Sequence, residues 1–271
     1  MGVWKNRKIS FETLNQITRE HSQVLCIHYS YSNTYDDEYG DISPIITTIV
    51  IQSLDEQIYK QFAIHLEANK AGITKDQIQD SYMDLELRVL TQYNNFVKRN
   101  KACYWIHWDM KDMSFGFEAI KHRYEKLFEN LSEYCEIPVN NCKNLSKIIE
   151  GSYGENFAEG PDTLKSLMLE NSKNIDCNKY LGLREESIEF EKKNFTTVAD
   201  SVDLKVKFMS IALNRLKDKK LVIPNKNYYA RFEDFVTHPV FTFIAGGASI
   251  YGLISFSSIF SFIKSLFKLL F

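Results

Sequence analysis

Val24-Leu25-Cys26-Ile27-His28-Tyr29-Ser30-Tyr31 is apolar and aromatic, with only a histidine and two serine or thiol positions breaking the run, and it predicts a β-strand. A polar loop follows through Asp36, Asp37, Glu38, Gly40, Asp41 and Pro44. Beyond the loop, residues 45–51 are rich in isoleucine and threonine, and residues 59–66 alternate apolar with polar positions, with a turn at 53–57. Together these runs predict an antiparallel three-strand meander. Thr74 and Gln77 have capping-box spacing, and Ile78, Tyr82, Leu85, Val89, Tyr93 and Phe96 then recur every three or four residues, so a helix of about 25 residues is expected. Residues 102–108 (Ala-Cys-Tyr-Trp-Ile-His-Trp) predict a fourth strand. It feeds a helix carrying Phe115, Phe117, Ile120, Tyr124, Leu127 and Leu131.

Past Pro138 the pattern turns helical, over 144–150, 162–171, 184–193 and 201–216, the last with Val202, Val206, Met209, Leu213 and Leu216 in register. Residues 218–238 read as a linker. From Pro239 to Ile263 there is no charged side chain, a run of 25 residues. As a helix rising about 1.5 Å per residue it reaches about 37 Å, enough to cross a hydrocarbon core of roughly 30 Å, so a C-terminal transmembrane helix is expected. The remaining residues, with Lys264 and Lys268 among apolar neighbours, read as a short amphipathic tail. A single span is favoured over a hairpin broken at Gly246-Gly247. Ala245, Ala248, Ser249 and Gly252 give small-residue spacings at which helices pack closely, so a homo-oligomer through the span is expected. The organisation expected is therefore a domain over 1–217, a linker over 218–238, and a span with tail over 239–271. The N-terminal residues 1–8 are polar and no apolar signal core follows them, which places the main domain in the cytoplasm and the chain at a lipid bilayer.

Composition agrees with a folded chain: 271 residues, 44% hydrophobic and 25% charged. Lysine and arginine number 33 against 35 aspartates and glutamates, so the net charge of −2 removes the broad basic footprint of a non-specific nucleic-acid binder. The five cysteines form no CxxC pair, which fits reduced thiols better than disulfides or a zinc site. Walker, dinucleotide, zincin and nucleophile-elbow motifs are all missing from the sequence.

Three antiparallel strands, a crossover helix, a fourth strand and then helices resemble the ribonuclease H-like fold, and within it the 3′–5′ exonucleases with the DEDD carboxylate signature, over residues 20–216. The stretch Trp105-Ile106-His107-Trp108-Asp109-Met110 with Phe115-Gly116-Phe117-Glu118 is similar to the family's fourth strand and the helix bearing a metal-ligand aspartate. Residues 160–167 resemble the next family helix, and 194–213 fall where the last acidic motif belongs. The fold class expected is thus α/β: a ribonuclease H-like mixed sheet of three antiparallel strands plus a crossover strand, flanking helices, and a C-terminal transmembrane helix.

The family chemistry uses two metal ions about 4 Å apart, held by carboxylate oxygens. This sequence departs from it. Where the resemblance implies Asp-x-Glu on the first strand, Ile27-His28-Tyr29-Ser30 has no carboxylate; the helix aspartate is replaced within Phe115-Gly116-Phe117; and the last motif offers Asp200 or Asp203 without the histidine five residues earlier. Candidate catalytic residues are Asp109, Asp112, Glu118 and Asp203, with Asp36, Asp37 and Asp41 as substitute ligands from the loop. Candidate ligand-binding residues are His28, Trp105, His107, Trp108, Asp109 and Arg123, because a strand end carrying tryptophans, histidine and aspartate is where open α/β sheets place ligands. No metal site is assigned, and no cofactor except magnesium or manganese under a nuclease reading. The expected function is a membrane-anchored, non-catalytic nuclease-fold module that binds a nucleic acid, a nucleotide or a partner protein, as in prokaryotic antiviral sensor and effector systems. A tethered metal-dependent 3′–5′ exonuclease and a membrane-permeabilising effector are the alternatives.

Overall fold

The computed structural model of the chain describes residues 3–35, 44–110, 115–128, 133–171, 176–224 and 263–265. In chain order the elements are α1 (Val3–Ile17), β1 (Val24–Tyr35), β2 (Pro44–Ser53), β3 (Tyr59–Ala63), α2 (Ile64–Ala71), α3 (Tyr82–Asn100) and β4 (Tyr104–His107). Then follow α4 (Phe117–Leu127), β5 (Cys142–Asn144), α5 (Leu145–Tyr153), α6 (Thr163–Asn171), α7 (Leu183–Glu191) and α8 (Phe195–Lys217).

The strands form a five-stranded mixed sheet in the order β3-β2-β1-β4-β5. β1 to β3 are antiparallel neighbours, with His28 opposite Val50 and Ser30 opposite Thr48. β4 runs parallel to β1, and β5 parallel to β4. Since successive side chains point to opposite faces, β1 must be apolar on both faces to lie at the centre. Its alternation does this: Val24 and Cys26 join the cluster formed with α1, α5, α6 and α8, while Leu25, Ile27 and Tyr29 join the cluster formed with α2, α3 and α4. His28 and Ser30 therefore face the α8 side.

Helix spacing accounts for the two covering layers. Leu85, Val89, Tyr93, Phe96 and Val97 make the buried stripe of α3, and Val202, Val206, Met209, Leu213 and Leu216 that of α8. Within the α3 layer, Arg123 and Glu86 form a forked ion pair, Nη2 to Oε2 at 2.6 Å and Nε to Oε1 at 2.8 Å, at 1% and 0% exposure. The Ile46 backbone N–H donates to the same Oε1 at 2.7 Å, tying the pair to the start of β2.

The expected fold class needs correction. A fifth strand, β5, extends the sheet beyond the four expected, and no helix among the described residues is long and apolar enough to cross a membrane. What stands is an α/β chain with a mixed five-stranded sheet and flanking helices. Of the run at 239–263 assigned to a transmembrane helix, residues 239–262 lie outside the described residues, as do Asp36, Asp37, Asp41 and Asp112. Smaller differences have local causes. The capping box at Thr74 is present, with the Thr74 backbone N–H donating to Gln77 Oε1 at 3.2 Å, but it opens a 3-10 turn, and α3 begins only at Tyr82. The third strand ends at Ala63 instead of continuing to residue 66, because Ile64 starts α2, which closes on Gly72 in the left-handed region at φ 69°.

Candidate functional site

The residues on the α8 face of β1 lie beneath two helices that carry opposite charges into the interior. α7 contributes Glu186 and α8 contributes Ser201 and Lys205, one turn apart on the stripe that also holds Val202 and Val206. Lys205 Nζ donates to Glu186 Oε1 at 2.7 Å, and Ser201 Oγ donates to the same oxygen at 2.7 Å. Exposure is 2% for Lys205 and 0% for Glu186 and Ser201. The Tyr180 ring, just before α7, closes over the ammonium with its centroid at 4.9 Å, and the Tyr180 hydroxyl donates to Asp162, 2.8 Å from each carboxylate oxygen. Asp162 in turn accepts from Lys165 N at 3.0 Å and caps α6. The result is a column of polar groups from a partly exposed carboxylate to the middle of the sheet.

Burial sets the protonation of this column. It raises the Glu186 carboxyl above its ordinary range, against the opposing pull of Lys205, Ser201 and Ser30. It drives the His28 imidazole well below its ordinary value, with Lys205 and His107 pushing the same way, so His28 is neutral. It also pushes the Cys26 thiol up to about 12, which makes that sulfur an inert packing group rather than a nucleophile. His28 meets Phe115 edge-on at 5.5 Å, and Phe115 stacks on Tyr29 at 4.6 Å, closing the end of β1. Tyr29 accepts the Gly116 N–H at 2.9 Å and so fixes the start of α4.

The second group of expected residues lies at the end of β4, where the two tryptophans part to opposite faces. Trp105 is fully buried against Phe96 and donates Nε1–H to the Asn100 carbonyl at 3.2 Å, whereas Trp108 packs on Phe157 in the α8-side cluster. Both are core residues. His107 accepts the Met110 N–H at Nδ1 (3.2 Å), and burial lowers it to about 4, partly offset by Asp109. Asp109 takes a left-handed backbone at φ 50° and accepts from Asn144 Nδ2 at 2.9 Å, while its own N–H reaches Asn144 Oδ1 at 3.4 Å. Asn144 also caps α5, so this pair joins the ends of β4 and β5.

The remaining candidates are dispersed. Glu118 is exposed in the first turn of α4, Arg123 is held by Glu86, and Asp203 pairs with Lys207 at 2.7 Å one turn along α8. Asp200 pairs with Lys179 at the surface, 3.2 Å away. Among the described residues no group of three or more histidine, cysteine, aspartate or glutamate side chains could hold a metal ion. The structure thus brings His28 within the influence of Lys205, leaves His107 against Phe117 of α4, and keeps the carboxylates apart. Glu186, Ser201, Lys205 and Tyr180 were not among the expected residues. The one signal available was a serine and a lysine four residues apart inside an otherwise apolar stripe.

Compared with known proteins, the chain matches no family model, no curated protein and no solved structure.

Proposed function

We propose that the chain is a non-catalytic binding or scaffolding module related in form to the ribonuclease H-like exonucleases, serving to hold a nucleic acid, a nucleotide or a partner protein. Support for the likeness comes from the strand order β3-β2-β1-β4-β5, with an antiparallel first half and a parallel second half. The observation that carries the non-catalytic reading is the Lys205 ammonium, 2.7 Å from Glu186 over the face of β1 where the likeness would put metal-binding carboxylates. Lysine supplies a fixed positive charge there. It cannot do the work of two ions that clamp the attacking and leaving oxygens of a phosphodiester, and His28 and Ser30 provide no second carboxylate.

The test is incubation of the full chain with labelled single-stranded DNA and RNA in magnesium or manganese, read on both denaturing and native gels. The reading expects strands of unchanged length. Processive shortening that Asp109→Ala abolishes would overturn it in favour of a metal-dependent exonuclease.

A further inference from the structure

The face of β1 beneath α7 and α8 holds polar atoms whose hydrogen-bonding capacity the described residues do not use. His28 Nδ1, Ser30 Oγ and Glu186 Oε2 are buried with no hydrogen-bond partner among them, on residues 4%, 1% and 0% exposed. Lys205 Nζ, with three N–H donors, has its hydrogen bond to Glu186 Oε1 and its ring contact with Tyr180. His28 and Ser30 are alternate residues on one strand face, about 6.6 Å apart along the chain. The Ser30 hydroxyl lies close enough to the Glu186 carboxylate to draw its carboxyl down but outside hydrogen-bond geometry, and the Lys205 charge is felt at His28. Leaving such atoms unmet in the interior is costly, so three on one face ask for a common partner.

The chemistry of the spare groups selects that partner. Ser30 and the ammonium donate, whereas Glu186 Oε2 and the neutral His28 ring accept. A metal ion would use only the acceptors, an anion only the donors, and the lysine–glutamate pair has no net charge to attract either. A hydroxyl oxygen uses both kinds, accepting from Ser30 or Lys205 while donating to Glu186 or His28. We infer that His28, Ser30, Glu186 and Lys205 form a built site for one hydroxyl oxygen, belonging either to a resident water or to a polyhydroxyl ligand of the sugar class. The inference holds whether or not the chain is related to nucleases.

The test begins with a crystal structure of the full chain, grown without added polyol, at a resolution that shows ordered solvent. The expected result is an oxygen within about 3 Å of at least two of His28 Nδ1, Ser30 Oγ and Glu186 Oε2. Nitrogen NMR of the labelled chain should show His28 with its proton on Nε2 and Nδ1 accepting a hydrogen bond, a signature that apolar packing alone would not produce. Ser30→Ala should lose the oxygen or displace it. D-ribose then separates the two sources: a rise in melting temperature for the wild type that Ser30→Ala lacks assigns the oxygen to a sugar hydroxyl, and an unchanged melting temperature with the oxygen still present assigns it to water. A dry site, with His28 bonded directly to Glu186, or Nδ1 carrying the proton, overturns the inference.

Discussion

A lysine at 2% exposure has to be explained by what neutralises it, and in α8 that is one carboxylate on a different helix. Taking both charges from water is expensive, and their attraction in the interior returns little more than it cost; removal of one partner leaves the other stranded. Lys205→Met is therefore expected to lower stability by about 3–5 kcal/mol in urea unfolding, whereas Lys205→Met combined with Glu186→Leu should recover most of that loss or exceed the wild type. A single variant as stable as the wild type would show that the pair does not form. The same argument applies to Arg123 and Glu86, which are also buried and forked together. In the sequence Arg123 reads as a ligand-binding candidate, since nothing in helix spacing reveals a partner 37 positions earlier in the chain. Arg123→Met is expected to destabilise to a similar degree, and any change in ligand binding should follow the loss of folded protein rather than precede it.

At the level of elements, periodicity found what is amphipathic and missed what is docked by a few contacts. The stripes of α3 and α8 and the runs of β1 and β2 were legible because apolar residues repeat at the right interval. α1 was not, because among its described side chains its polar sequence buries only Leu14 and Ile17 fully and is otherwise tied by groups such as Arg7, whose Nε donates to the Ser152 carbonyl at 2.7 Å. β5 was hidden by its length, three residues that gain strand form only by pairing with β4. The docking of α1 on α5 depends on Gly151. A Cβ built there would stand 2.1 Å from Ser10 Oγ and 3.3 Å from Ser10 Cβ. Gly151→Ala should thus gain about 1 kcal/mol of helix propensity but lose at least as much by displacing Ser10. Adding Ser10→Ala removes the nearer contact, so the double variant should melt above Gly151→Ala alone. Simple additivity of the two changes would show that the helices do not approach so closely.

For the molecule as a whole, the sequence pointed to His28 on β1 but not to the groups packed against it. The absence of carboxylates from β1 could be read directly, whereas the ion pair that occupies that face is assembled from α7 and α8, far along the chain, and a spacing argument cannot bring them together. This arrangement has a consequence for the response to acid. His28 and His107 are both buried and both titrate below the ordinary histidine value of 6.5 in the folded chain, His107 at about 4. The unfolded chain therefore binds protons first, so the stability they contribute is complete above pH 6.5 and falls as the pH drops below it, levelling for His107 near pH 4. For His107 alone the span corresponds to roughly 3 kcal/mol. Glu186 acts in the opposite sense: its carboxyl is raised in the folded state, so stability is lost as the pH rises from the ordinary glutamate value of 4.5 toward the folded one. Two histidines outweigh one glutamate, and urea midpoints should fall steadily between pH 6.5 and 4. His107→Phe, beside Phe117, should flatten that slope, and Glu186→Gln should steepen it. Midpoints that do not change across the interval in the wild type would mean that neither imidazole is held neutral by burial.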